Sequence, residues 1–71
     1  MRILTWNCHQ SFRTKCVEAL RYDADIMVIQ EAEDLDRLGH APLDAYPQRY
    51  WVGDKPNRGL LVVAKPTVEL T

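Results

Sequence analysis

Residues 2–7 alternate in polarity: Ile3, Thr5 and Asn7 fall on one face, and Leu4 and Trp6 on the other. A period of two with β-branched and aromatic members predicts a strand. Residues 8–11 are short and polar and read as a loop, with Ser11 placed to cap a helix. Over residues 12–22 the period lengthens. Phe12, Cys16 and Leu20 recur every four positions with Val17 beside them, while Arg13, Lys15, Glu18 and Arg21 fill the other side. That is a helix with one apolar stripe. Asp23-Ala24-Asp25 ends it. Ile26-Met27-Val28-Ile29 follows, an unbroken apolar run of the kind found in strands covered on both faces.

Residues 32–48 are acidic at first and then turn-rich, with Gly39, Pro42 and Pro47. They read as a loop holding one helical turn around Leu35 to Leu38. Residues 49–53 read as a third strand and Asp54–Gly59 as a turn punctuated by Pro, Asn and Gly. Leu60–Ala64 reads as a fourth strand, again apolar on both faces. The last two strands are expected to form a hairpin. Beyond Pro66, Thr67-Val68-Glu69-Leu70-Thr71 alternates like the opening of another strand. Two doubly apolar strands need cover on both faces, and one short helix cannot supply it. The pattern is therefore that of one partial domain over residues 1–71, the opening portion of a larger sandwich.

Strand, helix and strand within about thirty residues make a βαβ unit, whose two strands run parallel. Parallel neighbours bring their C-terminal ends together, and ligand sites favour that end. Asn7 and Glu31 stand there, 24 positions apart in sequence. A carboxylate beside an amide suits a hard divalent cation. Magnesium takes oxygen ligands, keeps several waters and binds through one or two carboxylates plus substrate phosphate. Glu31 would supply a charged oxygen. Asn7 would supply a carbonyl oxygen or orient a ligand. The plainer alternatives are an Asn that forms a turn and a Glu that is a solvated charge.

Size and charge narrow the picture. A chain of 71 residues buries only about 60% of its unfolded surface and is marginal without a metal, a disulfide or a partner. Cys8 and Cys16 form no disulfide framework and read as small buried hydrophobes. With His9 and His40 they match no zinc spacing. The net charge of −1 and pI near 6.0 argue against a coat that binds nucleic acid by bulk charge. No apolar run approaches the ~18 residues of a membrane span, and the N-terminus has no signal-peptide core. A cytoplasmic location is the expectation.

Met1-Arg2-Ile3-Leu4-Thr5-Trp6-Asn7-Cys8 and Asp25-Ile26-Met27-Val28-Ile29-Gln30-Glu31 together resemble the first two motifs of the endonuclease/exonuclease/phosphatase family. That group includes DNase I and the exonuclease III type of abasic-site endonuclease. Asn57-Arg58-Gly59-Leu60-Leu61-Val62-Val63 resembles its next landmark, a Gly-led apolar strand. The short bacterial members are nearest in pattern, through Asn7-Cys8, Phe12-Arg13-Thr14-Lys15 and Gln30-Glu31-Ala32-Glu33.

The resemblance implies an α/β (α+β) fold: the N-terminal β-α-β-β-β portion of a DNase I-like four-layer sandwich. It implies a metal-dependent phosphodiesterase or nuclease using Mg2+ or Mn2+, with Asn7 and Glu31 in the metal site. The substrate would be nucleic acid or another phosphodiester or phosphomonoester. The family's later motifs, which position the nucleophile and supply a His–Asp pair, have no counterpart in this sequence. His9 and His40 do not take that role, and the chain is expected to be inactive alone.

Secondary candidates are His9 and Glu33 as residues lining the site, and Lys55 and Arg58 as phosphate contacts. Each has an ordinary alternative as exposed loop or turn polarity. Tyr46, Tyr50 and Trp51 suit base stacking or packing. A second functional reading is a non-catalytic remnant or small interaction domain that self-associates through exposed strand edges.

Overall fold

The computed structural model describes residues 1–69. Its elements are β1 (Ile3–Asn7), α1 (Phe12–Leu20), β2 (Ile26–Ala32), α2 (Leu35–Leu38), β3 (Gln48–Lys55) and β4 (Arg58–Ala64). The four strands form one mixed sheet in the order β1-β2-β4-β3. β1 and β2 are parallel, with Ile3 opposite Ile26 and Asn7 opposite Gln30. β4 pairs antiparallel with both β2 and β3. The chain is thus a small α+β domain, and the first four expected strands, the helix, the helical turn and the hairpin are present. The hairpin is tighter than the sequence suggests: only Pro56 and Asn57 form the turn, and β3 runs on through Lys55.

Register sorts the side chains onto two faces. Leu4, Trp6, Met27, Ile29, Leu61 and Val63 share one face with Arg49 and Trp51. This face is covered. α1 lays Phe12, Cys16 and Ala19 on it, each essentially inaccessible to solvent, and Trp6 meets Phe12 edge to face at 6.3 Å. Val17 does not join the stripe and is exposed.

The remainder of the cover comes from residues 35–47. Leu38, Leu43 and Tyr46 are buried there. The Tyr46 hydroxyl donates to Ala24 O at 2.6 Å. Arg49 reaches up from β3 and donates to Tyr46 O and Leu43 O, both at 2.9 Å. A stretch that reads as loop is therefore half of the core's roof. Its backbone carbonyls find partners in local turns and in Arg49, not in a ladder.

The opposite face is open. Ile3, Tyr50, Val52 and Leu60 lie on it by register and are exposed, and Val28 and Val62 are half-buried. The expectation that β2 and β4 are covered on both faces is not met within the described residues. Only the corner at Ala64 is closed. Gln48 donates to Lys65 O and Val68 O and folds residues 65–68 over it. Residues 66–69 turn instead of forming a strand; Leu70 and Thr71, the end of that expected strand, lie outside the described residues.

Candidate functional site

The site is built where β2 breaks its own alternation. Ile29 points into the core, so an uninterrupted strand would aim Glu31 there as well. Instead the register with β4 slips between Ile29 and Ala32, and Glu31 takes a left-handed conformation, φ 57°. The bulge turns the carboxylate away from the core. Glu31 Oε2 then accepts a hydrogen bond from Asn7 Nδ2 at 2.8 Å. A non-glycine residue in this region costs about 1–2 kcal/mol, so the neighbours must hold it.

The holding contacts are specific. Gln30 O accepts from Cys8 N at 3.2 Å and Glu31 O from Gln10 N at 3.0 Å. The Cys8 thiol sits against the same two carbonyls at 3.4 and 3.5 Å. Burial pushes the thiols of Cys8 and Cys16 up from their ordinary pKa, so Cys8 stays a protonated donor. The Trp51 indole donates to Ala32 O at 3.0 Å. It can cross the sheet because residue 59 is glycine: a Cβ there would stand 2.5 Å from the Trp51 ring. The backbone groups freed by the bulge are thus satisfied from three directions.

On the β1 side, the loop after Asn7 is also unusual. His9, Gln10 and Ser11 are left-handed in succession, with φ of 56°, 72° and 56°. Asn7 Oδ1 accepts from His9 N at 3.1 Å. With its oxygen facing that donor, the amide must present Nδ2 to Glu31. Of the two roles open to Asn7, the geometry favours orienting the carboxylate, while a second lone pair on Oδ1 remains. Lys15 Nζ donates to Cys8 O at 2.8 Å and His9 O at 3.3 Å, fastening the loop to α1.

Glu33 is not the surface charge of the plainer reading. It is 2% exposed, and its carboxylate accepts from Phe12 N at 2.8 Å and Arg13 N at 3.1 Å. It also stands 3.5 Å from the Arg13 guanidinium. Ser11 occupies the cap position of α1 but makes no side-chain cap bond, because the left-handed backbone aims its hydroxyl elsewhere. Sequence reasoning missed this cap, whose donors and acceptor are 20 and 21 positions apart. By contrast α2 is capped locally, Asp34 accepting from Arg37 N at 2.8 Å.

The remaining candidates are dispersed. The His9 imidazole makes no hydrogen bond to Asn7 or Glu31 among the described residues, though its backbone belongs to the site. Lys55 and Arg58 pair across the hairpin turn and are exposed. That turn does lie at the same end of the sheet: Asn57 Nδ2 approaches Gln10 Oε1 at 3.4 Å, and Pro56 O accepts from Asp34 N at 2.8 Å. His40 is exposed in the loop after Gly39. Tyr46 is core, Trp51 packs on the core, and Tyr50 is exposed on the open face.

As a cation site the donor set is of the right kind and small in number. Glu31 is half-buried and in no ion pair among the described residues, so its charge is not already neutralised. No group of three or more His, Cys, Asp or Glu side chains gathers among the described residues. Hard oxygens in this number suit an ion that retains most of its water, not an enclosed structural site. No helix among the described residues is long and apolar enough to cross a membrane. No protein-family model, curated protein or solved structure matches the chain.

Proposed function

We propose that this chain carries the metal-holding part of a divalent-metal-dependent phosphodiesterase, of the kind its strand-end motifs resemble, and that it does not hydrolyse substrate by itself. The observation that carries this reading is the 2.8 Å contact between Asn7 and Glu31. It joins the ends of two parallel strands and depends on a disfavoured backbone conformation at Glu31. Strain of this kind is concentrated at functional sites. Strand alternation does not call for it, since an apolar residue at position 31 would point into the core.

Glu31 would hold Mg2+ or Mn2+, with Asn7 fixing the carboxylate and solvent filling the other positions. Such an ion polarises a phosphoryl oxygen and steadies the leaving oxygen. Attack by water also needs a general base within hydrogen-bond reach. The resemblance assigns that role to no residue of this chain, and the imidazole of His9 makes no hydrogen bond to Asn7 or Glu31 among the described residues. A nucleic-acid or other phosphoester substrate, and a cytoplasmic setting, belong to the same proposal.

The test is a titration with Mn2+ followed by NMR line broadening. Broadening is expected first at the amides of residues 7–10 and 30–32, and it should vanish in Glu31→Ala. Phosphodiester hydrolysis should stay at the buffer rate with either ion. Binding unaffected by Glu31→Ala would overturn the site, and Mg2+-dependent hydrolysis lost in that variant would overturn the claim of inactivity.

A second reading is favoured by one observation. Ile3, Tyr50, Val52 and Leu60 are 62%, 56%, 67% and 38% exposed, and all four fall on the same face of the sheet. β1 and β3 are also its outer strands, each with one edge unpaired among the described residues. A domain that docks or self-associates through this face and its edges needs no chemistry at Glu31.

A further inference from the structure

We infer that Glu33 is the positioning residue of the Asn7–Glu31 pair. Its buried carboxylate clamps the start of α1 to the end of β2 and so sets where the 8–11 loop, and Asn7 with it, meets Glu31. The inference rests on the metal-site reading above for its functional meaning, and on geometry alone for the clamp.

The argument begins with the loop. His9, Gln10 and Ser11 all hold a backbone conformation that L-residues avoid, so the loop has no intrinsic preference for its observed path. Something outside must fix both of its ends. The first end is Asn7, in the sheet. The second is the first turn of α1, whose N–H groups lack carbonyl partners within the helix. The Ser11 side chain does not serve them, and of these groups the Ser11 carbonyl takes only Thr14 N, at 3.1 Å. Glu33 serves the first two, with one oxygen on Phe12 N and the other on Arg13 N.

A carboxylate this buried is retained only when its hydrogen bonds are complete. Two backbone N–H donors and the Arg13 guanidinium complete them. Glu31 and Glu33 flank Ala32, whose carbonyl is held by Trp51. Displacing Glu33 would release α1 from a short rigid segment that also carries Glu31. Two glutamates two residues apart thus have different work: one faces the ion and the other holds the frame.

The wild-type protein supplies the first test. The amides of Phe12 and Arg13 should exchange with solvent as slowly as those of β2, although first-turn helix amides ordinarily exchange freely. Free exchange at both would overturn the clamp without any variant. Glu33→Gln and Glu33→Asp supply the second. Gln keeps the length but sets an amide N–H against the Arg13 N–H. Asp keeps the charge but not the reach.

Both should speed exchange over residues 8–13 at least tenfold, leave β3 and β4 unchanged, and move the Asn7 side-chain amide signals toward those of an unbonded asparagine. Both should also weaken Mn2+ binding at least fivefold. If Asp retains wild-type Mn2+ affinity while Gln loses it, Glu33 acts by charge and the positioning role is wrong. If wild type binds no Mn2+, the metal-site reading fails, yet the exchange and Asn7 signals still decide the clamp.

Discussion

One sheet presents two faces built from the same kind of residue, and only one of them is a core. On the covered face Met27, Ile29, Leu61 and Val63 lie beneath Phe12, Leu38, Leu43 and Tyr46 and see no solvent. On the open face Val28 and Val62 have equivalent partners in the ladder, yet their neighbours Tyr50, Val52 and Leu60 stand in water. Composition therefore does not decide which face is buried. What decides it is the placement of α1 and residues 35–47, both held to the same side by polar ties: Glu33 on α1, and Arg49 and Tyr46 on the loop.

The sharpest way to break the comparison is to delete one aromatic from each face. Phe12→Ala should cost about 3–5 kcal/mol, the usual loss for a fully buried aromatic. That is a large share of the stability expected of so small a domain. Tyr50→Ser, on the open face, should change stability by no more than about 0.5 kcal/mol. Urea unfolding monitored by tryptophan fluorescence measures both. A cost at Tyr50 that rivals Phe12, and that grows with protein concentration, would show the open face covered in solution by a second chain.

Much of this division was readable in the sequence. Period two in residues 3–7 and the four-residue spacing of Phe12, Cys16 and Leu20 fixed the strand, the helix and their packing sides, because local backbone geometry dictates them. The adjacency of Asn7 and Glu31 followed from parallel pairing. The exceptions share one cause: they depend on partners distant in sequence. Glu33 looked like a surface charge because its partners, Phe12 N and Arg13 N, come from another element. Val17 looked apolar enough for the stripe but sits past its edge. Residues 39–47 read as loop because turn residues mask a roof whose anchors are Leu43, Tyr46 and the distant Arg49. The bulge at Glu31 had no signal at all, since left-handed backbone there is imposed by Cys8, Gln10 and Trp51.

Glu31 gives the next prediction, and it separates the two faces at the point where one chain segment changes sides. Its carboxylate reaches Asn7, on the open face, only because the backbone is left-handed. Glycine adopts that conformation without the Cβ penalty of about 1–2 kcal/mol. Against this, Glu31→Gly forfeits one partly exposed hydrogen bond, a loss of about 0.5–1.5 kcal/mol. The variant should therefore be as stable as wild type within about 1 kcal/mol, while losing Mn2+ broadening completely. Glu31→Val, which cannot relax at positive φ, should be the less stable of the two. Equal stabilities for Gly and Val would mean that the bulge is not retained without the carboxylate.

The smallest effect concerns the one covered corner of the open face. Residues 65–68 lie over Ala64, and Lys65 Nζ donates to Asp23 Oδ1 at 2.6 Å, tying that segment to the end of α1. The ammonium hydrogen-bonded to Asp23 holds this carboxyl below its ordinary value of 3.8. The same bond raises Lys65 above its ordinary value of 10.5. A lowered acid contributes stability above its unfolded pKa and loses it as pH falls through the folded one; a raised lysine contributes below its unfolded pKa and loses it as pH rises through the folded one. The tie should therefore act across the whole range between those ordinary values and fade only outside it. Asp23 is solvent-exposed, so screening keeps the contribution small. Exchange at Val68 N, which donates to Lys65 O at 3.1 Å, should be level from about pH 5 to 9, once corrected for intrinsic exchange rates. It should quicken modestly in Asp23→Asn over that range. A change confined to β1 or to the 8–11 loop would instead place the effect on the covered side, through α1, and leave the corner's cover to Gln48 and the Lys65 N–H on Asp25 O.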